Sequence, residues 1–238
     1  MRTYVVRRLL LMIPVLIGVT LLIFAITQLF DPYMRASLYI RDPRQAKNIE
    51  GIIRKYGLDQ PMYIQYFRWL DQVLHGNLGW SQSIHMPVLD ALLTHFPATA
   101  ELALYAAPLT IFIGTVLGKL AAVKKDTAVD HVTRIMAIVG WSLPSFWLGI
   151  MLLAVFYGGL GIFSPGRLST WAENLVLSGK FKVYTGLYTI DAILNLNGAV
   201  LLDALSHLVL PVTTLVIINM ALLMRIMRSS MLEQLNKT

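Results

Sequence analysis

The chain has 238 residues and a formal net charge of +7; 56% of its residues are hydrophobic and 14% charged, with a mean hydropathy of +0.64. That balance excludes an ordinary soluble domain and reads as an integral membrane protein. Lys and Arg gather beside apolar runs, as cations on the cytoplasmic side of a bilayer do, and not on a basic face with interleaved aromatics, which argues against nucleic-acid binding. The absence of Cys from the sequence excludes disulfides, thiolate metal sites and Cys nucleophiles, so the compartment has to be read from topology.

Crossing about 30 Å of hydrocarbon takes roughly 20 helical residues. Residues 1–8, with Arg2, Arg7 and Arg8, form a short cytoplasmic N-terminus before an uncharged first span at 9–30. The run is too long for a secretory signal, and no small-residue cleavage site precedes Asp31-Pro32, so it is read as uncleaved. Residues 31–98 hold no further span. Their portions Ile49 to Tyr56 and Pro61 to Leu74 are amphipathic, the second with Ile64, Phe67, Leu70, Val73 and Leu74 on one predicted face, which gives a helical subdomain on the outer side. Seven basic and six acidic residues nearly cancel there, and long loops translocate largely regardless of charge.

A second span at 99–123 has Glu101 at its outer end and Lys119 at its inner end, where a lysine can snorkel to the interface. The basic turn 124–131 belongs in the cytoplasm, and a third span follows at 132–160, interrupted by Pro144. Proline there frees a carbonyl and permits a kink. Residues 161–202 are rich in Gly, Ser and Asn and read as an outer loop, with short helices near Trp171 to Leu177 and Asp191 to Leu194. The fourth span, 203–227, ends in Arg225 and Arg228, and 228–238 begins a cytoplasmic region. The expected fold is an all-α polytopic membrane protein with four spans and both termini inside.

Chemistry is hard to find. His75, His85, His95, His131 and His207 have no metal-ligand spacing, and no His-Glu-x-x-His helix exists. Gly114 to Leu120 has the outline of a phosphate loop, but it has one residue too few between its glycines, lacks the hydroxyl and lies inside an apolar helix; Gly114 and Gly118 suit close helix packing instead. Asn236-Lys237-Thr238 has the form of a glycan acceptor on the wrong side of the membrane. No nucleophile sits with a base, so no enzyme is expected. Acidic residues for ion coupling are missing from the interior of the spans, with only Glu101 and Asp203 at their outer ends, which counts against the alternative of an ion-coupled carrier working alone.

Several short blocks then occur in a recognisable order. They are Arg7-Arg8-Leu9 with Pro14, Gly18 and Thr20; Tyr56-Gly57-Leu58-Asp59-Gln60-Pro61 with Gln65-Tyr66; and Gly76-Asn77-Leu78-Gly79-Trp80-Ser81. After them come Pro97-Ala98-Thr99-Ala100-Glu101-Leu102, Lys124-Lys125, Ser142-Leu143-Pro144-Ser145-Phe146-Trp147, Leu210-Pro211 and Arg228-Ser229-Ser230-Met231-Leu232-Glu233. Over essentially the whole chain this resembles the first permease subunit of the dipeptide, oligopeptide and nickel class of ATP-binding cassette importers. Two departures are Phe30-Asp31-Pro32, where such subunits often have Pro-Gly-Asp-Pro, and Asn77 in place of a common Asp.

The resemblance implies half of a translocation path in the cell membrane, completed by a second permease subunit. Two cytoplasmic ATP-binding subunits that hold ATP and Mg would drive it by alternating access, and an external solute-binding protein would deliver cargo. No cofactor is expected in this chain. Cargo is read as di- or oligopeptides, with oligosaccharides or nickel as alternatives. Relatives of this class have six helices and a cytoplasmic coupling helix after the block matching Arg228 to Glu233, so the chain is expected to be a piece of a longer protein.

Candidate path residues are Asn219, Gln28, Glu101 and His207, because polar side chains within spans usually face protein or water, with Ser142 and Pro144 at the break in the third span, where a kink suits a moving gate although proline is common in membrane helices. Glu101 and His207 equally suit hydrogen bonds to a neighbouring loop. The expected coupling residues are Arg225, Arg228, Ser229, Ser230 and Glu233, which lead into the coupling helix that the resemblance implies. The cations also suit the negative end of a helix and membrane lipid headgroups. Met220, Met224, Met227 and Met231 follow helical spacing and read as packing.

Overall fold

A computed structural model describes residues 2–40 and 47–235, and the chain divides into two compact units, residues 1–94 and 95–238. The described residues form ten α-helices, one π-helical turn and a single two-stranded hairpin.

In the first unit, α1 (Arg2–Thr27) runs unbroken through Pro14. It is apolar on all sides, the pattern of a membrane span, and none of its most apolar window is buried within the chain. The carboxylate of Asp31 accepts the Tyr33 and Met34 amides and caps α2 (Pro32–Ser37), with proline at the first helical position. Asn48 caps α3 (Ile49–Tyr56), and Gly57 ends it at φ 64°, a left-handed position that glycine adopts without strain. Next come α4 (Met62–Leu74) and the hairpin of β1 (Trp80–Ser81) with β2 (Met86–Pro87).

The buried face of α4 differs from the predicted one. Gln65 and Tyr66 are buried, whereas Phe67 and Leu74 are exposed. The reason is aromatic packing: Phe24 of α1 meets Tyr66 edge-on at 5.4 Å between ring centroids and Trp69 at 6.1 Å. Such pairs add about 0.5–1.5 kcal/mol beyond area burial, enough to choose between two apolar faces of similar size.

In the second unit, α5 (Val88–Val123) and α10 (Gly198–Leu235) are continuous despite Pro97, Pro108 and Pro211. They run parallel, since Gly114 lies against Leu223 and Met220, and Gly118 against Met227 and Met224. A Cβ at Gly118 would stand 2.7 Å from that of Met227 and 2.8 Å from the Met224 carbonyl oxygen, so only glycine permits this approach. Ala106, Val212, Val216, Met220 and Met224 form the core between them.

The third expected span is not one straight helix. It consists of α6 (Ala128–Ser142), then α7 (Ser145–Leu153) prolonged by a π-helical turn Ala154–Gly159, with a 100° bend between the halves. The cause is local: Leu143, just before Pro144, is extended at φ −86° and ψ 127°, as the steric demand of a following proline favours. Both ends of the segment are fastened to α10. Asp130 at its start meets Arg228, and Ser169 beyond its end bonds Asp203 at 2.8 Å. Those two points on α10 lie roughly 37 Å apart at about 1.5 Å per residue. By length and composition, three described helices are long and apolar enough to cross a membrane, or four if the bent pair is one span.

Where a loop is expected, α8 (Thr170–Leu177) and α9 (Tyr188–Leu194) fold with the start of α10 over a core of Leu168, Ala172, Phe181, Ala192, Val200 and Ala204. One carboxylate organises it: Asp191, fully buried, accepts from the Thr185 amide and hydroxyl and from the Gly186 amide.

The glycine contacts make a sharp comparison. Gly118→Ala forces α5 and α10 apart and costs about 1–3 kcal/mol. Gly18→Ala, with nothing within 4 Å of the added carbon, gains up to about 1 kcal/mol of helix propensity. Thermal unfolding of the two variants in one detergent checks the opposite signs.

Candidate functional site

At the basic end of the second unit, α10 presents Arg228 to Asp130 at the start of α6. Its Nε donates to Oδ1 at 2.7 Å and its Nη2 to Oδ2 at 2.8 Å. The fork is bidentate, the strongest geometry for this pair. The Asp126 amide adds a hydrogen bond at 3.1 Å, and the Arg134 guanidinium stands at 3.7 Å. Asp130 is wholly buried, while Arg228 keeps 23% side-chain exposure. Hydrogen bonding from Arg228 holds the Asp130 carboxyl well below the usual carboxylate range, against the opposing effect of its burial, and the same bond raises the Arg228 pKa.

The other end is built around Glu101 of α5. Its Oε1 accepts the Thr189 amide at 2.7 Å and the Thr189 hydroxyl at 2.8 Å; its Oε2 accepts from Arg167 at 2.7 Å. Arg167 also donates to the Gly186 carbonyl and lies over the Tyr188 ring at 4.2 Å. Glu101 is only 3% exposed, so the structure uses it to hold the α8–α9 segment on α5, as the loop-bonding reading of Glu101 expects. His207, also buried, puts Nδ1 2.8 Å from the Asp203 carbonyl oxygen, and its Nε2 is buried without a partner.

The remaining candidates are spread out. Gln28 lies in the first unit, where it accepts from Arg35 and donates to Gln65 at 3.4 Å. Asn219, Ser142 and Pro144 are exposed; the Asn219 amide donates to the Leu215 carbonyl at 2.7 Å, and the Ser142 hydroxyl to that of Ile138 at 2.8 Å. Arg225 is exposed, with its guanidinium 5.3 Å from the Trp141 ring centre. Because helical side chains lean toward the N-terminus, this guanidinium is turned back along α10, away from the basic end where Arg228 is engaged. Ser229, Ser230 and Glu233 lie on the exposed side, and Asn219, Leu222, Ile226, Ser229 and Glu233 share one face by their three- and four-residue spacing.

The sequence does not single out Asp130, Arg167, Asp203 or Arg35. Their partners lie far along the chain, 98 positions for Asp130 with Arg228 and 66 for Arg167 with Glu101, and no local pattern reports such pairs. Among the described residues, no group of three or more metal-ligating side chains occurs.

These features define a class: an all-α membrane protein in which the buried carboxylates Asp130, Glu101 and Asp191 fasten helices and loops. Two family models place the chain within it. Residues 1–103 match the N-terminal part of the binding-protein-dependent transport system membrane component, and residues 114–238 match the binding-protein-dependent transport system inner membrane component. The chain belongs to that family.

Its relatives include the probable D,D-dipeptide transport system permease protein DdpB of Escherichia coli, 42% identical over 226 residues, which is 94% of this chain and 64% of that protein. The dipeptide transport system permease protein DppB of Escherichia coli is 35% identical over 100% of this chain and 69% of its own length. The oligopeptide transport system permease protein AppB of Bacillus subtilis is 31% identical over 100% and 67% respectively. The chain therefore spans about two thirds of the length of these relatives, and slightly less of the first.

Two variants test the ends. Asp130→Asn leaves Arg228 without its countercharge and lowers stability by on the order of 3 kcal/mol. Because the folded carboxyl has a depressed pKa, its contribution is fully present above the unfolded value of about 4 and is lost as pH falls through the folded one. The gap in unfolding temperature between wild type and Asp130→Asn is thus flat from about pH 5 to 8 and closes only in stronger acid. Glu101→Ala, by contrast, removes the countercharge of Arg167 and the acceptor of Thr189 and raises amide hydrogen exchange across residues 167–191 while the α6–α10 contact stays protected.

Proposed function

We propose that this chain is the permease subunit of an ATP-binding cassette importer and forms half of a translocation path for di- and oligopeptides. The observation that carries the reading is family membership joined to relatives named for dipeptide and oligopeptide transport systems. The described residues supply helices long and apolar enough to cross a membrane, and the buried carboxylates Asp130 and Glu101 fasten them to their neighbours, which fits a passage driven by other subunits. The partners are a second permease subunit, two ATP-binding subunits holding ATP and Mg, and an external solute-binding protein. The chain sits in the cell membrane with its N-terminus cytoplasmic, which puts the Asp130–Arg228 end inside and the Glu101 end outside, in keeping with the basic residues at the former.

The exposed face of α10 is where this chain meets its neighbours. A polar Asn219 within a span is too costly to leave against lipid, so this face lines the path or packs on the second permease subunit. Ser142, Pro144 and Arg225 contribute to the same wall, while Ser229, Ser230 and Glu233 continue toward the ATP-binding subunits. Arg228 acts on coupling indirectly, by locking α6 to α10 through Asp130.

Purification of the tagged chain from native membranes in mild detergent, with mass spectrometry of what accompanies it, tests the assembly. Recovery of a second permease and two ATP-binding subunits is expected; recovery of the chain alone contradicts the reading. Asn219→Leu then lowers dipeptide uptake by about tenfold, the effect of losing one well-placed polar contact, with the assembly intact.

A further inference from the structure

Arg35 of α2 is only 9% exposed, yet its partners are neutral. Nη1 donates to Oε1 of Gln28 and of Gln65, Nη2 donates to the Leu58 carbonyl at 3.1 Å, and Nε is buried without an acceptor. Among the described residues no carboxylate lies within ion-pair distance of it. This differs from Arg228 and Arg167, the half-buried cations of the second unit, each of which has its carboxylate. A guanidinium taken out of water without a countercharge is strongly unfavourable, and surrounding amides satisfy its hydrogen bonds without neutralising it.

Arg35 lines a cavity of about 240 Å³ in the first unit. Arg68 lines it too, and among the described lining residues there is no Asp or Glu. The walls include the carboxamides of Gln28, Gln65, Gln72 and Asn77 and a group of aromatic rings, Tyr39 and Tyr56, stacked at 4.1 Å between ring centroids, with Trp69 and Trp80. Burial, followed by the neighbouring Tyr56, pushes the Tyr39 hydroxyl pKa up, so it stays a hydrogen-bond donor at neutral pH. Among the described residues the cavity thus holds two cations, a hydroxyl donor and flat aromatic surfaces, and no carboxylate. It falls just below the range of about 300–1,000 Å³ of ordinary ligand pockets, which suits an amino acid or a very short peptide and is too small for a folded partner.

The geometry points to a binding site for a small-molecule carboxylate in this cavity, with Arg35 and Arg68 supplying the countercharge and the Tyr and Trp rings packing on the body of the ligand. Arginine is suited to the task because its planar fork matches a carboxylate. Aromatic walls select against a bare inorganic anion and favour an acid with an organic body, the terminal carboxylate of a short peptide among them. The site is independent of the importer reading, because binding to the isolated protein requires neither ATP nor partner subunits.

Trp69 and Trp80 give the site its own readout. The full-length protein in lipid nanodiscs is titrated with alanyl-alanine, its C-terminal amide and acetate, following tryptophan fluorescence and binding heat. Saturable binding of alanyl-alanine is expected, about tenfold weaker for the amide, which lacks the charge. Arg68→Gln, at an exposed position, weakens alanyl-alanine several-fold with an unchanged unfolding temperature, and Arg35→Gln abolishes binding. If Arg35→Gln does not fold, Arg68→Gln and the amide still decide the matter. Acetate as tight as the dipeptide supports the carboxylate site and makes a free small acid its ligand. Equal affinity for dipeptide and amide, or full affinity in Arg68→Gln, overturns the proposal; so does a fluorescence change that requires the solute-binding protein and no small acid, which would make the cavity a protein interface.

Discussion

Close contact between helix backbones at Gly114, Gly118 and Gly140 fixes the second unit, and its other features depend on it. Inside a bilayer, lipid tails are as apolar as leucine, so helices associate through packing at small residues and not through expulsion of water. Gly118 brings α5 against Met224 and Met227, and Gly140 brings α6 to where an added Cβ would stand 2.8 Å from the Ile217 carbonyl oxygen. Once α5 and α6 are both seated on α10, the ends of the three helices are set. Asp130 then falls opposite Arg228, and Glu101 falls where Thr189 and Arg167 can reach it.

The polar groups follow a division of labour. Those buried within the chain fasten helices and loops: Asp130 with Arg228, Glu101 with Arg167 and Thr189, and Asp203 with Ser169. Those exposed on the spans, Asn219, Ser142 and Arg225, have no such duty in the second unit beyond a local backbone bond or a ring contact. The buried pairs hold the helices of the second unit together as one packed body. The 100° bend at Leu143-Pro144 belongs to that packed body, since α7 packs on α10 where a Cβ added at Gly149 would stand 3.8 Å from the Thr214 side chain.

Much of this is legible in the sequence, for identifiable reasons. Spans are marked by composition over some twenty residues, a signal too long to mistake. The break at Pro144 is marked because proline restricts the residue before it. The buried face of α4 is not marked, because two apolar faces compete on that helix and Phe24, far away in sequence, decides between them through Tyr66 and Trp69. The α8–α9 core is half hidden: short helices are visible, but the fully buried Asp191 that ties their loops together looks like any helix-start acid. Arg228 is legible as a basic helix end and illegible as the partner of Asp130, since the pairing depends on a fold spanning 98 positions.

The function proposed for this chain requires that cargo pass only when other subunits spend ATP. The direct measurement is uptake of a labelled dipeptide into proteoliposomes containing the full assembly and its solute-binding protein, with either active or hydrolysis-deficient ATP-binding subunits. Uptake that requires hydrolysis and survives an uncoupler agrees with the account. Uptake that continues without hydrolysis and collapses with the ion gradient contradicts it and identifies a carrier that works alone.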